Sequence, residues 1–209
     1  MIEAIGGVLV ALVVTVAAGL ILDWWSGWRG RAWMLSTFRR RLRRLGFARR
    51  SRRLLVFVSS GGTCRDPMAK VIAEKLIQDR VPELKDLKVE GRALLKSTSK
   101  SEASHAARMA IRDLFGEDLL ADYVPLSISA RDIERSDLIL VMAADLLHKD
   151  ELPARKTYIF KEFFGFRGDV EDPWPDGRDE ETLTRYRATA EEIKTVMESG
   201  IDRLVRTLG

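Results

Sequence analysis

Residues 54–67 read Leu-Leu-Val-Phe-Val-Ser-Ser-Gly-Gly-Thr-Cys-Arg-Asp-Pro, and they hold the side chains best placed to do chemistry. An apolar, β-branched run stops at a small loop that ends in Arg65, and Asp66-Pro67 then opens a helical pattern. A strand, a tight loop and a helix N-terminus in that order make an anion cradle. Gly61 and Gly62 allow the turn that points successive N–H groups inward, and the helix dipole favours negative charge there. Arg65 supplies a planar fork of donors suited to phosphate oxygens. The two histidines, His105 and His148, fall in predicted helices, on their surfaces, and no metal site or cofactor motif is present in the pattern.

The loop resembles the signature of the low-molecular-weight protein tyrosine phosphatase family, Cys-x5-Arg, with Arg65 on the arginine. The position of the catalytic cysteine is then Ser59. Ser60, Gly61, Gly62, Thr63, Cys64 and Arg65 match the phosphate-binding turn, and Cys64 matches the family's second, non-nucleophilic cysteine. A later segment, Asp172-Pro173-Trp174-Pro175-Asp176-Gly177, resembles the family's Asp-Pro-aromatic-aromatic-Gly loop. Asp172 falls on the general acid that protonates the leaving phenolate, and Trp174 on the aromatic wall that grips the phenyl ring. Pro175 takes the second aromatic position, and Asp176 reads as a one-residue insertion.

By this resemblance a thiolate should attack phosphorus while the arginine clamps the oxygens and the aspartate serves first as acid, then as base. A serine hydroxyl is not ionised by loop amides and a helix dipole as a thiol is. Gly62 replaces the family's asparagine and Asp66 its serine, both of which brace the loop. A carboxylate at Asp66 is unhelpful beside phosphate unless it turns away to cap the helix. The chain is therefore expected to bind phosphomonoesters and turn them over poorly. That fits a phosphatase in a substrate-trapping form, or a pseudophosphatase that reads phosphotyrosine or another oxyanion. A thioredoxin-coupled arsenate reductase needs further cysteines, and this chain has one.

These residues need a scaffold. Strands over 54–58, 87–95, 137–142 and 156–160 alternate with helical patterns from Asp66, over 102–115, 143–149 and 180–208. The continuous apolar run from Asp137 to Met142 marks a strand buried on both faces. Such alternation implies an α/β fold with a parallel sheet covered on both sides, and ligands outside the strands' carboxyl ends. The resemblance makes it a three-layer domain over 54–209 with a central four-stranded parallel sheet.

The remaining length lies N-terminal. Ala4 to Leu22 are 19 residues without a charge, about 28 Å as a helix, enough to span a bilayer core. Glu3 before the run and Asp23-Trp24-Trp25 after it argue against a cleaved leader, so residues 1–23 are read as one transmembrane helix preceding the domain. Residues 24–53 hold four of the five tryptophans and 11 arginines between Arg29 and Arg53. The positive-inside rule places that side, and the domain after it, in the cytoplasm. Met34, Leu35, Phe38, Leu42 and Leu45 recur at helical spacing among the arginines, which predicts an amphipathic juxtamembrane segment on anionic lipid headgroups. Residues 1–53 carry a net charge of +9, so the chain's +4 leaves the remainder at −5. The domain thus has no nucleic-acid footprint. A single cysteine excludes internal disulfides and fits a reducing compartment.

Overall fold

The computed structural model describes residues 53–94, 102–147 and 152–209. The chain from 53 runs through β1 (Leu54–Ser59), α1 (Arg65–Arg80), β2 (Lys88–Ala93), α2 (His105–Phe115), α3 (Ala130–Arg135), β3 (Leu138–Val141), β4 (Thr157–Ile159), a single turn α4 (Phe160–Phe163) and the long α5 (Glu180–Leu208). The four strands form one parallel sheet in the order β2-β1-β3-β4. The expected three-layer α/β domain with a four-stranded parallel sheet is what the described residues form.

The layers follow from the side-chain alternation of β1. Leu55 and Phe57 face a large core with Met68, Ile72 and Leu76 of α1, Ala107 and Ile111 of α2, and Tyr186, Ile193 and Met197 of α5. Leu54, Val56 and Val58 face the other way, against Ile139, Val141, Leu146 and Ile159, with Ile133 of α3 packed at the margin. All six residues of β1 are buried, which is why the run carries no polar alternation. Phe57 and Phe160 meet edge to face, 6.1 Å between ring centroids, tying β1 to the turn after β4.

Order β2-β1-β3-β4 sends the chain to one side after β1 and to the other after β3. The carboxyl end of β1 is therefore at the crevice where doubly wound sheets bind ligands, and the loop 59–65 leaves the sheet there.

Several boundaries differ from the sequence reading. Helix α1 begins at Arg65, so Pro67 is its third residue and not its first. β2 stops at Ala93 and α2 starts at His105, because Ser104 caps it, its side chain accepting from the Ala107 N–H. Of the 143–149 helix, the described residues 143–147 hold only a 3-10 turn over Ala144–Leu146. β4 ends at Ile159, since Phe160 already begins a helical turn. Helix α3 was not foreseen. It is announced by a capping box in which Ser129 and Asp132 exchange backbone and side-chain hydrogen bonds. Among the described residues no helix is long and apolar enough to cross a membrane. The predicted span over residues 4–22, the basic segment up to residue 52 and His148 lie outside the described residues.

Candidate active site

The loop 59–65 folds back on its own first residue. The Gly62 N–H donates to Ser59 Oγ at 3.2 Å, and the Ser59 carbonyl accepts from the Leu94 N–H at 2.8 Å. Gly62 sits at φ +73°, a conformation in which a β-carbon is strained. A β-carbon there would also lie 2.7 Å from the Ala93 Cβ. Glycine at the family's asparagine position is thus dictated here by the neighbouring end of β2 as well as by the turn. The Thr63 carbonyl accepts from the Ser104 N–H at 2.9 Å, which ties the loop to the start of α2.

Arg65 joins the two motifs. The residue is 5% exposed. Nη1 donates to the Val170 carbonyl at 3.1 Å, and Nη2 donates to Asp172 Oδ2 at 2.7 Å. The Val170 N–H in turn donates to the Met142 carbonyl just beyond β3, so the acid loop hangs from the neighbouring strand's carboxyl end. Asp169 Oδ1 accepts from the Ala144 N–H at 2.8 Å, a second tether to the same place. Residues 65 and 172, more than a hundred positions apart in sequence, are thereby brought into direct contact. Asp172 Oδ1 also accepts from the Trp174 N–H at 3.3 Å, and Trp174 is 53% exposed beside the proposed acid.

Asp176, read from sequence as an insertion, has a structural task. Its two carboxylate oxygens accept from the His105 and Ala106 N–H groups at 3.1 and 3.0 Å. They satisfy two of the unpaired donors at the start of α2 and anchor the acid loop there. His105 is exposed at that first position, as expected.

Asp66 departs most from expectation. It does not turn away to cap the helix. Its carboxyl group is fully buried, Oδ1 accepting from Ser59 Oγ at 2.6 Å and Oδ2 from the Tyr123 hydroxyl at 2.9 Å. Burial pushes its pKa from 3.8 up to about 7, against the lowering effects of those two hydroxyl bonds and of the Arg65 charge. The Tyr123 hydroxyl is pushed upward as well, by its own burial and then by the carboxylate beside it. Gly91 on β2 makes room for this group: a β-carbon there would come within 2.8 Å of the Tyr123 hydroxyl and 3.0 Å of Asp66 Oδ2. From sequence the serine hydroxyl at 59 is expected not to be ionised by the loop amides and the helix dipole, and an acceptor for its proton is a separate matter. The structure supplies one in Asp66.

Cys64 lies on the core side of the loop, buried, with Sγ 3.2 Å from the Tyr186 hydroxyl and 3.7 Å from Ser104 Oγ. It faces α5 rather than Ser59. Its place matches the non-nucleophilic cysteine of the resemblance.

A glycine-containing loop at the carboxyl end of a central parallel strand, with Arg65 paired to Asp172 of a distant loop, places the domain in the doubly wound α/β class. Residues 54–208 match the family model described as low molecular weight phosphotyrosine protein phosphatase, and the chain belongs to that family. It is 29% identical over 161 residues to a protein-arginine-phosphatase of Geobacillus stearothermophilus, covering 74% of this chain and 95% of the relative. It is 28% identical over 144 residues to a low molecular weight protein-tyrosine-phosphatase of Staphylococcus haemolyticus, covering 66% and 91%. Among solved structures, the low molecular weight protein tyrosine phosphatase from T. tengcongensis superposes with a TM-score of 0.61 at 30% identity, covering 75% of this chain and 99% of that one. A cysteine-to-serine mutant of an arginine phosphatase, with a phosphorylated active site serine, shares the fold at a TM-score of 0.59 and 24% identity, covering 73% and 96%.

Proposed function

We propose that this chain is a membrane-anchored phosphatase-family protein whose cytoplasmic domain binds phosphorylated side chains of proteins. The Arg65 contact to Asp172 carries the reading, because it assembles the oxyanion clamp and the leaving-group acid at one strand end. Phosphotyrosine is the favoured ligand. Trp174 offers an exposed aromatic surface two residues from Asp172, suited to an aryl ring. Relatives include both tyrosine and arginine phosphatases, so phosphoarginine is the natural comparison ligand. With Ser59 at the nucleophile position the domain holds its ligand longer than a cysteine enzyme does, and turnover is low. A pure reader of phosphotyrosine is the second reading. Ser59 favours it, and Asp172 argues against it, since a reader has no use for an acid beside the clamp. The span over residues 4–22 and the arginines from 29 to 53 hold the domain against an anionic membrane surface.

Thermal unfolding of the full chain with and without tungstate tests the clamp. Tungstate should raise the unfolding temperature, and Arg65→Ala should remove the rise. Equal melting temperatures with and without the oxyanion would end the reading. Binding of the chain to anionic but not to neutral vesicles at low salt tests the membrane part.

A further inference from the structure

We infer that Ser59, Asp66 and Tyr123 form a nucleophile, base and orienter, so that Ser59 itself takes the phosphoryl group from an aryl phosphomonoester and holds it as phosphoserine. This rests on the loop 59–65 being a phosphoryl cradle, as proposed above, and goes beyond it by giving the serine a chemical role of its own.

The geometry has the form that activated hydroxyl nucleophiles require: nucleophile and base within hydrogen-bond reach, and the base held by a third group. Ser59 Oγ donates to Asp66 Oδ1 at 2.6 Å, and Tyr123 donates to Oδ2 at 2.9 Å. When Asp66 is ionised both of its oxygens can accept from these hydroxyls, and Oδ1 is placed to take the Ser59 proton. The Gly62 N–H donates to Ser59 Oγ at 3.2 Å, a bond that strengthens as negative charge grows on that oxygen. Both side chains are buried, Ser59 at 3% exposure, so water competes little for the proton. The arrangement is also built around: Gly91 leaves the space that the tyrosine hydroxyl and Asp66 occupy. Burial pushes Asp66 up to about 7, which makes it a stronger proton acceptor than a surface carboxylate.

The step balances without any further reactant. Ser59 Oγ attacks phosphorus, and its proton passes to Asp66 Oδ1. The phosphorus–oxygen bond to the phenol breaks, and Asp172, entering as the acid, gives its proton to the leaving oxygen. The products are phenol, phosphoserine, a protonated Asp66 and an ionised Asp172. In the return step water attacks phosphorus and gives a proton to Asp172, the bond from phosphorus to Ser59 Oγ breaks, Asp66 returns its proton to that oxygen, and inorganic phosphate leaves. An alkoxide leaves less readily than a thiolate, so the return step is slow and the phosphoserine accumulates. Asp66 touches the reacting oxygen, whereas Tyr123 acts through Asp66 and is a positioning residue.

The charged and titratable groups around Asp66 are Arg65 on α1, Tyr123 in the segment after α2, and Glu90 and Arg92 on β2, which act on Tyr123. The rate of phosphorylation should therefore rise with pH through the ionisation of Asp66.

The test uses the full chain with p-nitrophenyl phosphate. Nitrophenolate release is followed, with intact mass and fragment mapping of the protein, and tungstate binding is measured calorimetrically in parallel. The expected result is a burst of about one equivalent, with one phosphoryl group mapped to Ser59. Asp66→Asn should slow the burst by about 100-fold or more and flatten its pH profile, with tungstate still bound. Tyr123→Phe should slow the burst and move its pH profile upward, since the tyrosine's bond lowers the Asp66 pKa, and an unmoved profile would overturn the positioning role. Ser59→Ala should give no label. Phosphorylation of Asp66→Asn at the unmodified chain's rate would overturn the base assignment. Tungstate binding with no label on the unmodified chain would overturn the nucleophile assignment. Loss of both label and tungstate binding would overturn the cradle, and the relay with it.

Discussion

A buried carboxyl whose pKa is raised makes stability depend on pH in a direction opposite to most acidic residues, and Asp66 allows this to be measured. In the folded chain burial holds it near 7, whereas its ordinary value is 3.8. Below 3.8 both states are protonated. Between 3.8 and about 7 the native protein keeps a proton that the unfolded chain has released, so the native state binds more protons and stability falls as pH rises. Above 7 the loss is complete and the contribution is flat. A shift of about three units at 1.36 kcal/mol each makes the total fall ~4 kcal/mol, a large fraction of the stability of an ordinary domain.

Asp66→Asn removes the ionisation while keeping the shape and an acceptor for one of the two hydroxyls. Other carboxylates titrate across the same window, so the informative quantity is the difference between the two proteins. Urea denaturation at half-unit steps from pH 4 to pH 8.5 gives it directly. The variant should lose ground at pH 4, where a protonated Asp66 is well accommodated, and gain relative to the unmodified chain by ~4 kcal/mol by pH 8. Curves that run parallel across the whole range would refute the reasoning, because they would mean that Asp66 titrates alike in folded and unfolded chains.

Three further outcomes follow from the same geometry. Gly62→Ala should cost about 1–2 kcal/mol for the left-handed backbone alone, and more for the 2.7 Å approach to Ala93 Cβ. Adding Ala93→Gly should restore the second part only, and a double mutant no more stable than Gly62→Ala would contradict the clash. Asp176→Ala should destabilise by about 1 kcal/mol through the uncapped α2 amides and speed proteolysis within residues 169–178; unchanged cleavage there would mean the loop is held elsewhere. Ser59→Cys alone should hydrolyse p-nitrophenyl phosphate weakly, since a carboxylate in hydrogen-bond contact disfavours the thiolate. Ser59→Cys with Asp66→Ser should exceed it by about tenfold or more, and equal rates would show that Asp66 does not govern the nucleophile.

What could be read from the sequence was what is local in it. The apolar run of β1, the glycine turn and Arg65 are contiguous, and contiguous residues must fold together. Asp172 was found the same way, through its neighbours Pro173 and Trp174. Contacts between distant segments left no such trace. Tyr123 belongs to an irregular stretch with no period. Nothing local marks the role of Gly91 either, although the space above it holds the Tyr123 hydroxyl and Asp66. Asp176 read as an extra residue because its partners, the first amides of α2, lie some seventy positions away. Helix α3 could have been found: Ser129 and Asp132 stand at capping-box spacing, with aspartate in place of the usual glutamate.

Ser59 and Asp66 are better understood together than as two separate departures from the family pattern. A thiolate already carries the charge that attack requires, and what helps it is a neutral donor nearby, such as the family's serine at position 66. A hydroxyl lacks that charge, and what helps it is an acceptor able to receive a proton. This chain has the hydroxyl at 59 and the acceptor at 66, joined at 2.6 Å, and a tyrosine to hold the acceptor in place. Replacing cysteine by serine alone would leave the hydroxyl without this carboxylate acceptor. The pair preserves the division into attacking group and supporting group while exchanging which of them bears the negative charge. Tyr123, through its bond to Asp66, and Gly91, through the space it leaves, support the exchanged arrangement from outside the loop, and this is why the site reads as a different solution to the same phosphoryl chemistry.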